Sequence, residues 1–305
     1  MELSLGENFQ EGKDMWNWFF GVIIKKENSE ISRLRDKGKL LYLSELIPYF
    51  RGKNIFTFAN GGSVANLKRV ERLESYNLLS VHTGPLHFYR EFGIMPNLWY
   101  YHWGHTANMI LEEEKKTPLD FSETFILVPS SDSQSAVLFG SAVFRKFRRL
   151  HPEATYVLYR EKRAFLCPEN ITETYMEEGV EPIYALGGGN VENSFLPICG
   201  FLGVKRLYFC GVDHLPTGHF WNRKLQYQTV RGEPLDFPDE QATLECSRYA
   251  IEKCRSRGME CFRLEKNETI MKSYPYINFD DALSKASYRI RPSDIKNRAS
   301  SVVRL

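Results

Sequence analysis

The stretch NIFTFANGGS, at 54–63, is the part of the sequence that says most about the fold. Its first half is apolar and rich in Phe and Ile, as is typical of a buried β-strand. At Asn60 the apolar run gives way to two glycines and a serine, a pattern that indicates a turn. A strand that ends in a tight turn before a polar, helix-like segment indicates one unit of an α/β fold.

The same alternation continues along the chain. Further apolar runs, which predict strands, lie at 78–83, 97–103, 124–129, 155–161, 182–188, 204–213 and 259–265. Segments with helical patterns separate them, including NLKRVERLE at 66–74 and VENSFLPICGFLG at 191–203, where we expect Pro197 to introduce a kink. Strands alternating with helices predict an α/β fold with a Rossmann-like, doubly wound, mainly parallel sheet.

Three regions are expected on this basis. Residues 1–50 predict a helical N-terminal extension, and the helical pattern runs on to residue 53. Residues 51–265 predict the Rossmann-like domain, including a long loop at 214–238. Residues 266–305 predict a C-terminal basic tail, because cations there outnumber acids.

The composition is that of an ordinary soluble globular protein. Of the 305 residues, 43% are hydrophobic and 26% are charged, and the net charge of +2 gives no reason to expect a nucleic-acid partner. No apolar run is long enough to span a membrane, and acidic residues occupy the place of a signal peptide's basic start. The six cysteines contain no CxxC pair, which predicts free thiols in the cytoplasm. Peripheral contact of the termini with the inner face of a membrane is left open.

Small and polar residues follow the predicted strands, where ligands of parallel sheets bind. A glycine turn before a helix can present backbone N–H groups to a phosphate, although such turns also connect strands to helices without any ligand. Neither NGGS nor GGGN matches a GxGxxG or Walker pattern, so NAD and P-loop sites are not indicated. The residues that follow the strands are Asn60, Gly61, Gly62, Ser63, Thr83, His102, Gly188, Gly189, Asn190, Asp213 and His214.

Histidines near these strand ends suggest general-base chemistry, because the pKa of imidazole lies near neutrality. A metal site formed by His102, His105 and Asp213 is the alternative, but no HExxH-type spacing supports it. The loop at 214–238 combines cations with aromatic residues, which suits either a lid over a nucleotide or an exposed excursion. Its candidate ligand-binding residues are Trp221, Arg223, Lys224 and Tyr227.

Two motifs carry a resemblance to known families. NIFTFANGGSVANL resembles the strand and GNGPSL turn of glycosyltransferase family 42 sialyltransferases and of the MptE-like family. The latter includes 6-hydroxymethylpterin diphosphokinases and flagellin-modifying glycosyltransferases. GGGNVENSFLPICGFLGVKRLYFCGVDH resembles the second hallmark of both groups, and the resemblance extends over roughly residues 50–265.

The resemblance implies roles for individual residues. The turn residues Asn60, Gly61, Gly62 and Ser63 would hold the nucleotide, with Thr83, His102 and Asn190 near the nucleotide or donor sugar. Asp213 would organise the site. His219 resembles a histidine that follows this motif in the MptE-like group, so it is the first choice of general base and His214 is the second.

The sequence also departs from the family pattern. The proline of GNGPSL is absent, and Leu215 and Trp221 stand where the sialyltransferases place phosphate-binding tyrosines. The segment PLDFPDEQ at 234–241 lacks the histidine that these enzymes use.

The function expected from the resemblance is glycosyl transfer. A sialic-acid-like nonulosonate would pass from a CMP-activated donor to a hydroxyl of a glycan or glycolipid acceptor, with no essential cofactor. One alternative is a pterin diphosphokinase-like phosphotransferase, in which Asp213 would hold Mg²⁺ with ATP. The other is a catalytically silent nucleotide- or glycan-binding module. The oligomeric state is left open.

Overall fold

The computed structural model describes residues 29–81, 83–101, 104–116, 118–129, 141–159, 161–164, 181–184, 195–212, 248, 251–252, 254–266 and 274–295. The strands are β1 (Leu40–Tyr42), β2 (Asn54–Phe58), β3 (Leu78–Val81), β4 (Leu98–Tyr100), β5 (Phe125–Pro129), β6 (Thr155–Tyr159), β7 (Glu161–Ala164), β8 (Glu181–Tyr184), β9 (Arg206–Cys210) and β10 (Glu260–Arg263). Eight of them form one parallel sheet in the order β1-β6-β5-β4-β3-β2-β9-β10, and β7 pairs with β8 in a second, two-stranded sheet.

The helices are α1 (29–36), α2 (Ile47–Phe50), α3 (Gly84–Phe92), α4 (Gly104–Glu114), α5 (Ala142–Leu150), α6 (Leu196–Phe201) and α7 (Phe279–Ser284). Further helical residues lie at 248, 251–252, 254–256 and 292–295. Short 3₁₀ turns occupy Leu43–Leu46, Gly62–Asn66 and Val70–Ser75.

Helices cover both faces of the main sheet. All five residues of β2 are buried, so its alternate side chains pack into two different hydrophobic clusters. On one face Ile55 shares a cluster with Phe50 of α2 and Leu196 of α6. On the other face Phe58 contacts Phe88 of α3 edge to face, with ring centroids 5.0 Å apart. The predicted α/β fold with a doubly wound parallel sheet is therefore confirmed.

Most predicted strands lie in this sheet, but four expectations need correction. The strand expected at 182–188 is β8, which pairs with β7 outside the main sheet. The segment expected to be helical up to residue 53 contains β1, whose backbone pairs with β6 and adds a strand to the edge of the sheet. The polar helix expected at 66–74 is replaced by 3₁₀ turns, because Arg69 adopts a left-handed conformation (φ 60°, ψ 38°) that a helix cannot contain. Pro197 lies in the first turn of α6, where its missing N–H costs no hydrogen bond, so it does not kink the helix.

Residues near the C-terminus cross the amino ends of the strands. The side chains of Asn77 and Asn97, which precede β3 and β4, are joined by a hydrogen bond of 3.0 Å. They also bind the backbone of the C-terminal segment, since Asn77 donates to the carbonyl of Tyr288 (2.9 Å) and accepts from the N–H of Ile290 (2.9 Å). This segment covers the edge of the sheet opposite to the one where ligands of such folds bind. The division into residues 1–50, 51–265 and 266–305 stays a prediction.

Candidate functional site

The strand order reverses between β2 and β9, because β2 to β6 extend the sheet to one side and β9 and β10 to the other. Ligands of doubly wound folds bind at the carboxyl ends of strands beside such a reversal. Here the backbone pairing of β2 and β9 continues beyond both strands, from Ala59 N–H to the Cys210 carbonyl (3.0 Å) and from Gly61 N–H to the Gly211 carbonyl (2.7 Å). The turn after β2 is thus held directly against the turn after β9.

Gly211 allows this close approach. Its φ of +77° lies in the left-handed region, and a Cβ atom at this position would lie 2.5 Å from the Ala59 carbonyl oxygen and 2.7 Å from Cγ2 of Val64. Both the backbone conformation and the available space therefore require glycine. The apolar strand β9 therefore ends at Gly211 because the turn that follows it packs directly against the turn after β2.

Glu265 joins the same two turns through its side chain. It follows β10, is only 8% exposed, and its Oε1 accepts hydrogen bonds from the Ser63 hydroxyl (2.6 Å) and the Gly211 N–H (2.7 Å). The Ser63 hydroxyl oxygen also accepts from the Gly211 N–H at 3.2 Å. The sequence analysis missed Glu265, although its place at the end of the predicted strand MECFRLE was a usable signal.

Two buried oxygen atoms lie on the other side of the turn. Oδ1 of Asn60 and Oγ of Ser80 are buried, and neither has a hydrogen-bond partner among the described residues. They are close to each other around Gly84, since a Cβ atom there would lie 2.3 Å from Oγ of Ser80 and 3.0 Å from Oδ1 of Asn60. Buried polar atoms in native proteins normally have partners, so a group of them without partners indicates a place for a ligand or water.

The first turn of α3 adjoins these two oxygen atoms, and we call the group formed by Asn60, Ser80, Thr83 and Gly84 the Asn60–Ser80 recess. Thr83 is the N-cap of α3 and is 7% exposed, and Gly84 and Pro85 begin the nine-residue helix. The amino end of a helix carries a partial positive charge and unpaired N–H groups, which favour an anion. The recess therefore combines an amide, a hydroxyl and a helix N-terminus, a set that suits a ligand with hydroxyl and phosphate groups.

Of the predicted nucleotide-binding residues, Asn60, Gly61, Gly62, Ser63 and Thr83 are described, and all of them follow β2 or β3. Asn60 and Thr83 lie at the recess, whereas the Ser63 hydroxyl is bonded to Glu265. The remaining candidates lie outside the described residues and stay predictions: Asp213, His214 and His219, together with His102, Gly188, Gly189, Asn190, Trp221, Arg223, Lys224 and Tyr227. The whole predicted lid loop at 214–238 and the side chain of His105 also lie outside them.

Cysteine and metal chemistry find no support in the described part of the chain. Cys199, Cys210, Cys254 and Cys261 are free and buried, as predicted for structural thiols. Burial raises the pKa of the Cys199 thiol far above its ordinary value, which keeps it protonated. Within the same residues, no three His, Cys, Asp or Glu side chains are grouped in a way that could hold a metal ion. The described helices include no candidate for a membrane span.

Comparison with known proteins gives structural likeness without sequence relatives. No protein-family model matches the chain, and no curated protein matches it. Among solved structures it resembles the monofunctional α-2,3-sialyltransferase Cst-I from Campylobacter jejuni, with 14% identity and a TM-score of 0.43 over 74% of this chain and 80% of that one. It also resembles the sialyltransferase CST-II in complex with a trisaccharide acceptor and CMP, with 12% identity and a TM-score of 0.41 over 81% and 99% of the two chains. A third is CstII from Campylobacter jejuni in complex with CMP-3FNeuAc, with 12% identity and a TM-score of 0.40 over 81% and 98%. Because one fold supports many activities, the function has to be argued from the site itself.

Proposed function

We propose that this chain is a glycosyltransferase that moves a sialic-acid-like nonulosonate from a CMP-activated donor to a glycan hydroxyl. The observation that carries the proposal is the Asn60–Ser80 recess at the carboxyl edge of the sheet. Its two buried oxygen atoms have no hydrogen-bond partner among the described residues, and it lies beside the amino end of α3. The identity of the nucleotide rests on the resemblance of the NGGS turn to the nucleotide-binding turn of family 42.

The recess would hold the nucleotide part of the donor. The Asn60 amide and the Ser80 hydroxyl would bond polar groups of the nucleoside, and the first turn of α3 would stabilise the phosphate. Gly84 is essential to this arrangement because any larger residue would displace the Ser80 hydroxyl. Gly61 and Gly62 would let the donor approach the backbone of the turn.

The reaction would be a displacement at the anomeric carbon. His219, or His214 in its place, would accept the proton of the acceptor hydroxyl as that oxygen forms its bond to the anomeric carbon. The bond from this carbon to the phosphate oxygen would break, and CMP would leave with the electron pair. Asp213 would organise the site, and Arg223 and Lys224 would stabilise the charge on the departing phosphate.

A direct test is to incubate the protein with CMP-N-acetylneuraminic acid and lactose and to measure release of CMP. We expect release that depends on the acceptor and falls about ten-fold in Ser80→Ala, because one hydrogen bond to the donor is lost. Ser122→Ala is a matched control, since Ser122 is exposed and its hydroxyl bonds Asp120, away from the recess.

Two outcomes would contradict the proposal. If CMP neither raises the melting temperature nor is released, while ATP with Mg²⁺ raises it, the diphosphokinase-like function replaces the one proposed. If CMP binds but no donor is turned over, the chain is a binding module. Full turnover in both His219→Ala and His214→Ala would remove only the assignment of the general base.

A further inference from the structure

A cleft lies on the β10 side of the NGGS turn. It has a volume of about 600 Å³ and is lined by residues that follow β2, residues that follow β10, and the segment 276–280. This volume falls in the range of small-molecule sites. Ser63 and Glu265 form part of its wall, so the cleft adjoins the turns of the switch point but lies on the side away from Ser80 and Gly84.

The charges in this cleft leave an excess of cations. Its lining includes the cations Lys68, Arg69 and Lys266 and the carboxylates Glu265 and Asp280. Both carboxylates are already bonded: Oε1 of Glu265 accepts from a hydroxyl and an amide, and the two oxygens of Asp280 accept from Arg69 (2.7 Å) and from Arg72 (2.6 Å).

The two lysines differ from these carboxylates. Among the described residues, neither the Lys68 nor the Lys266 ammonium has a carboxylate partner. With Asp280 paired to Arg69 and Arg72, the two lysines stand against the single Glu265 carboxylate, so the cleft keeps a net positive charge.

The backbone of Arg69 provides a second, independent observation. It is the only non-glycine residue in the described part of the chain with a positive φ (60°). Such a conformation costs a non-glycine residue about 1–2 kcal/mol and is concentrated at binding sites. The side chain of this residue lies at the wall of the cleft, where the Arg69 guanidinium bonds one oxygen of Asp280 (2.7 Å) and Arg72 bonds the other (2.6 Å).

We propose that this cleft binds an anionic saccharide. The Lys68 and Lys266 ammonium groups would bond its carboxylate or phosphate group. Tyr276, which is 40% exposed, would contact the sugar with its aromatic side chain, and amide side chains in the lining would bond its hydroxyls. The inference goes beyond the proposed function and does not depend on it, because binding is measured without turnover.

The test is isothermal titration calorimetry of the full chain, with glucose 6-phosphate, galacturonic acid and glucose in separate titrations. We expect both acidic sugars to bind at least ten-fold more tightly than glucose. The double variant Lys68→Gln/Lys266→Gln should weaken this binding about ten-fold or more, because it removes charge-assisted hydrogen bonds. The matched control is Lys37→Gln/Lys205→Gln, which removes two exposed lysines that precede β1 and β9 at the opposite edge of the sheet and should leave the affinity unchanged.

Arg69→Gly separates a binding role from a structural one. Glycine adopts the left-handed conformation freely, so this variant should melt at the same temperature as the parent or above it. This stable variant should bind glucose 6-phosphate more weakly, because without Arg69 the Asp280 carboxylate keeps only Arg72 as a partner and its negative charge opposes the anion. Equal affinities in the Lys68/Lys266 and control variants, displacement of the sugar by CMP, or equal binding of inorganic phosphate and glucose 6-phosphate would each overturn the proposal.

Discussion

The contact between the NGGS turn and Gly211 can be tested by adding a single methyl group. In Gly211→Ala the new Cβ would lie 2.5 Å from a backbone carbonyl oxygen of Ala59 and 2.7 Å from Val64, so one of the two turns must move. The left-handed backbone (φ +77°) costs alanine about 1–2 kcal/mol, and overpacking of a well-packed site adds about 1–3 kcal/mol. We therefore expect the free energy of unfolding to fall by about 2–5 kcal/mol in urea denaturation.

Gly258 provides the matched control for this change. It has the same φ of +77°, but a Cβ atom there would meet nothing within 4 Å. Gly258→Ala should lose only the conformational part, about 1–2 kcal/mol. If the two variants lose the same stability, the close approach of the two turns does not exist and the geometry derived for the recess fails with it.

Three further predictions concern single side chains. Ser80→Ala removes a buried hydroxyl that has no partner in the described part of the chain, so the unfolding free energy should stay constant or rise by up to about 1 kcal/mol while CMP affinity falls. A loss of more than about 1 kcal/mol would mean that the hydroxyl has a structural partner. Glu265→Ala removes the shared acceptor of the Ser63 hydroxyl and the Gly211 N–H and should cost about 1–3 kcal/mol in urea denaturation, whereas Glu265→Gln should recover part of this loss. Burial opposes protonation of His151, but its two carboxylate partners outweigh burial and raise the pKa of the imidazole. The stability that protonated His151 contributes is therefore fully present below the unfolded pKa of about 6.5, and it is lost as pH rises through the higher folded pKa. The difference in unfolding free energy between the parent and His151→Gln should accordingly shrink from pH 6 to pH 9, and a difference that does not change with pH would refute the assignment.

The sheet could be predicted from the sequence because its strands are buried on both faces. A parallel strand covered by helices on both sides is mostly apolar, so NIFTF and RLYFC stand out as predominantly apolar runs. The short edge strand β1 was not predicted, because it is only three residues long and only partly buried. Its pattern from buried to exposed over Leu40–Tyr42 is too brief to separate from the helical spacing around it. The strand β8 lies in a separate sheet because it pairs with β7, and a strand's pairing partner cannot be read from its own residues.

The candidate site could be predicted only in part. Residues that directly follow a strand, such as Asn60 and Thr83, can be found because the carboxyl ends of parallel strands share one edge. Ser80 lies inside its strand and Gly84 begins a helix, so their meeting depends on how far β3 and α3 approach the turn after β2. Glu265 is distant from Ser63 in sequence, and their bond exists only because β10 and β2 both flank β9.

The hydrogen bonds of the NGGS turn separate the groups that hold the turn in place from the group that we expect to bind a ligand. Gly61 pairs with Gly211 through the backbone, and the Ser63 hydroxyl is bonded to Glu265, so both of these groups serve to hold the turn in place. Oδ1 of Asn60 has no such bond in the described part of the chain. A turn that is fixed on one side and leaves an unbonded amide oxygen on the other presents that oxygen at low entropic cost to a ligand. Asn60→Ala should therefore weaken CMP binding while leaving the urea midpoint unchanged. Ser122→Ala, at an exposed position away from the recess, should leave both unchanged. If Asn60→Ala instead lowers stability without affecting CMP, the recess is part of the scaffold and the nucleotide has to bind elsewhere along this edge.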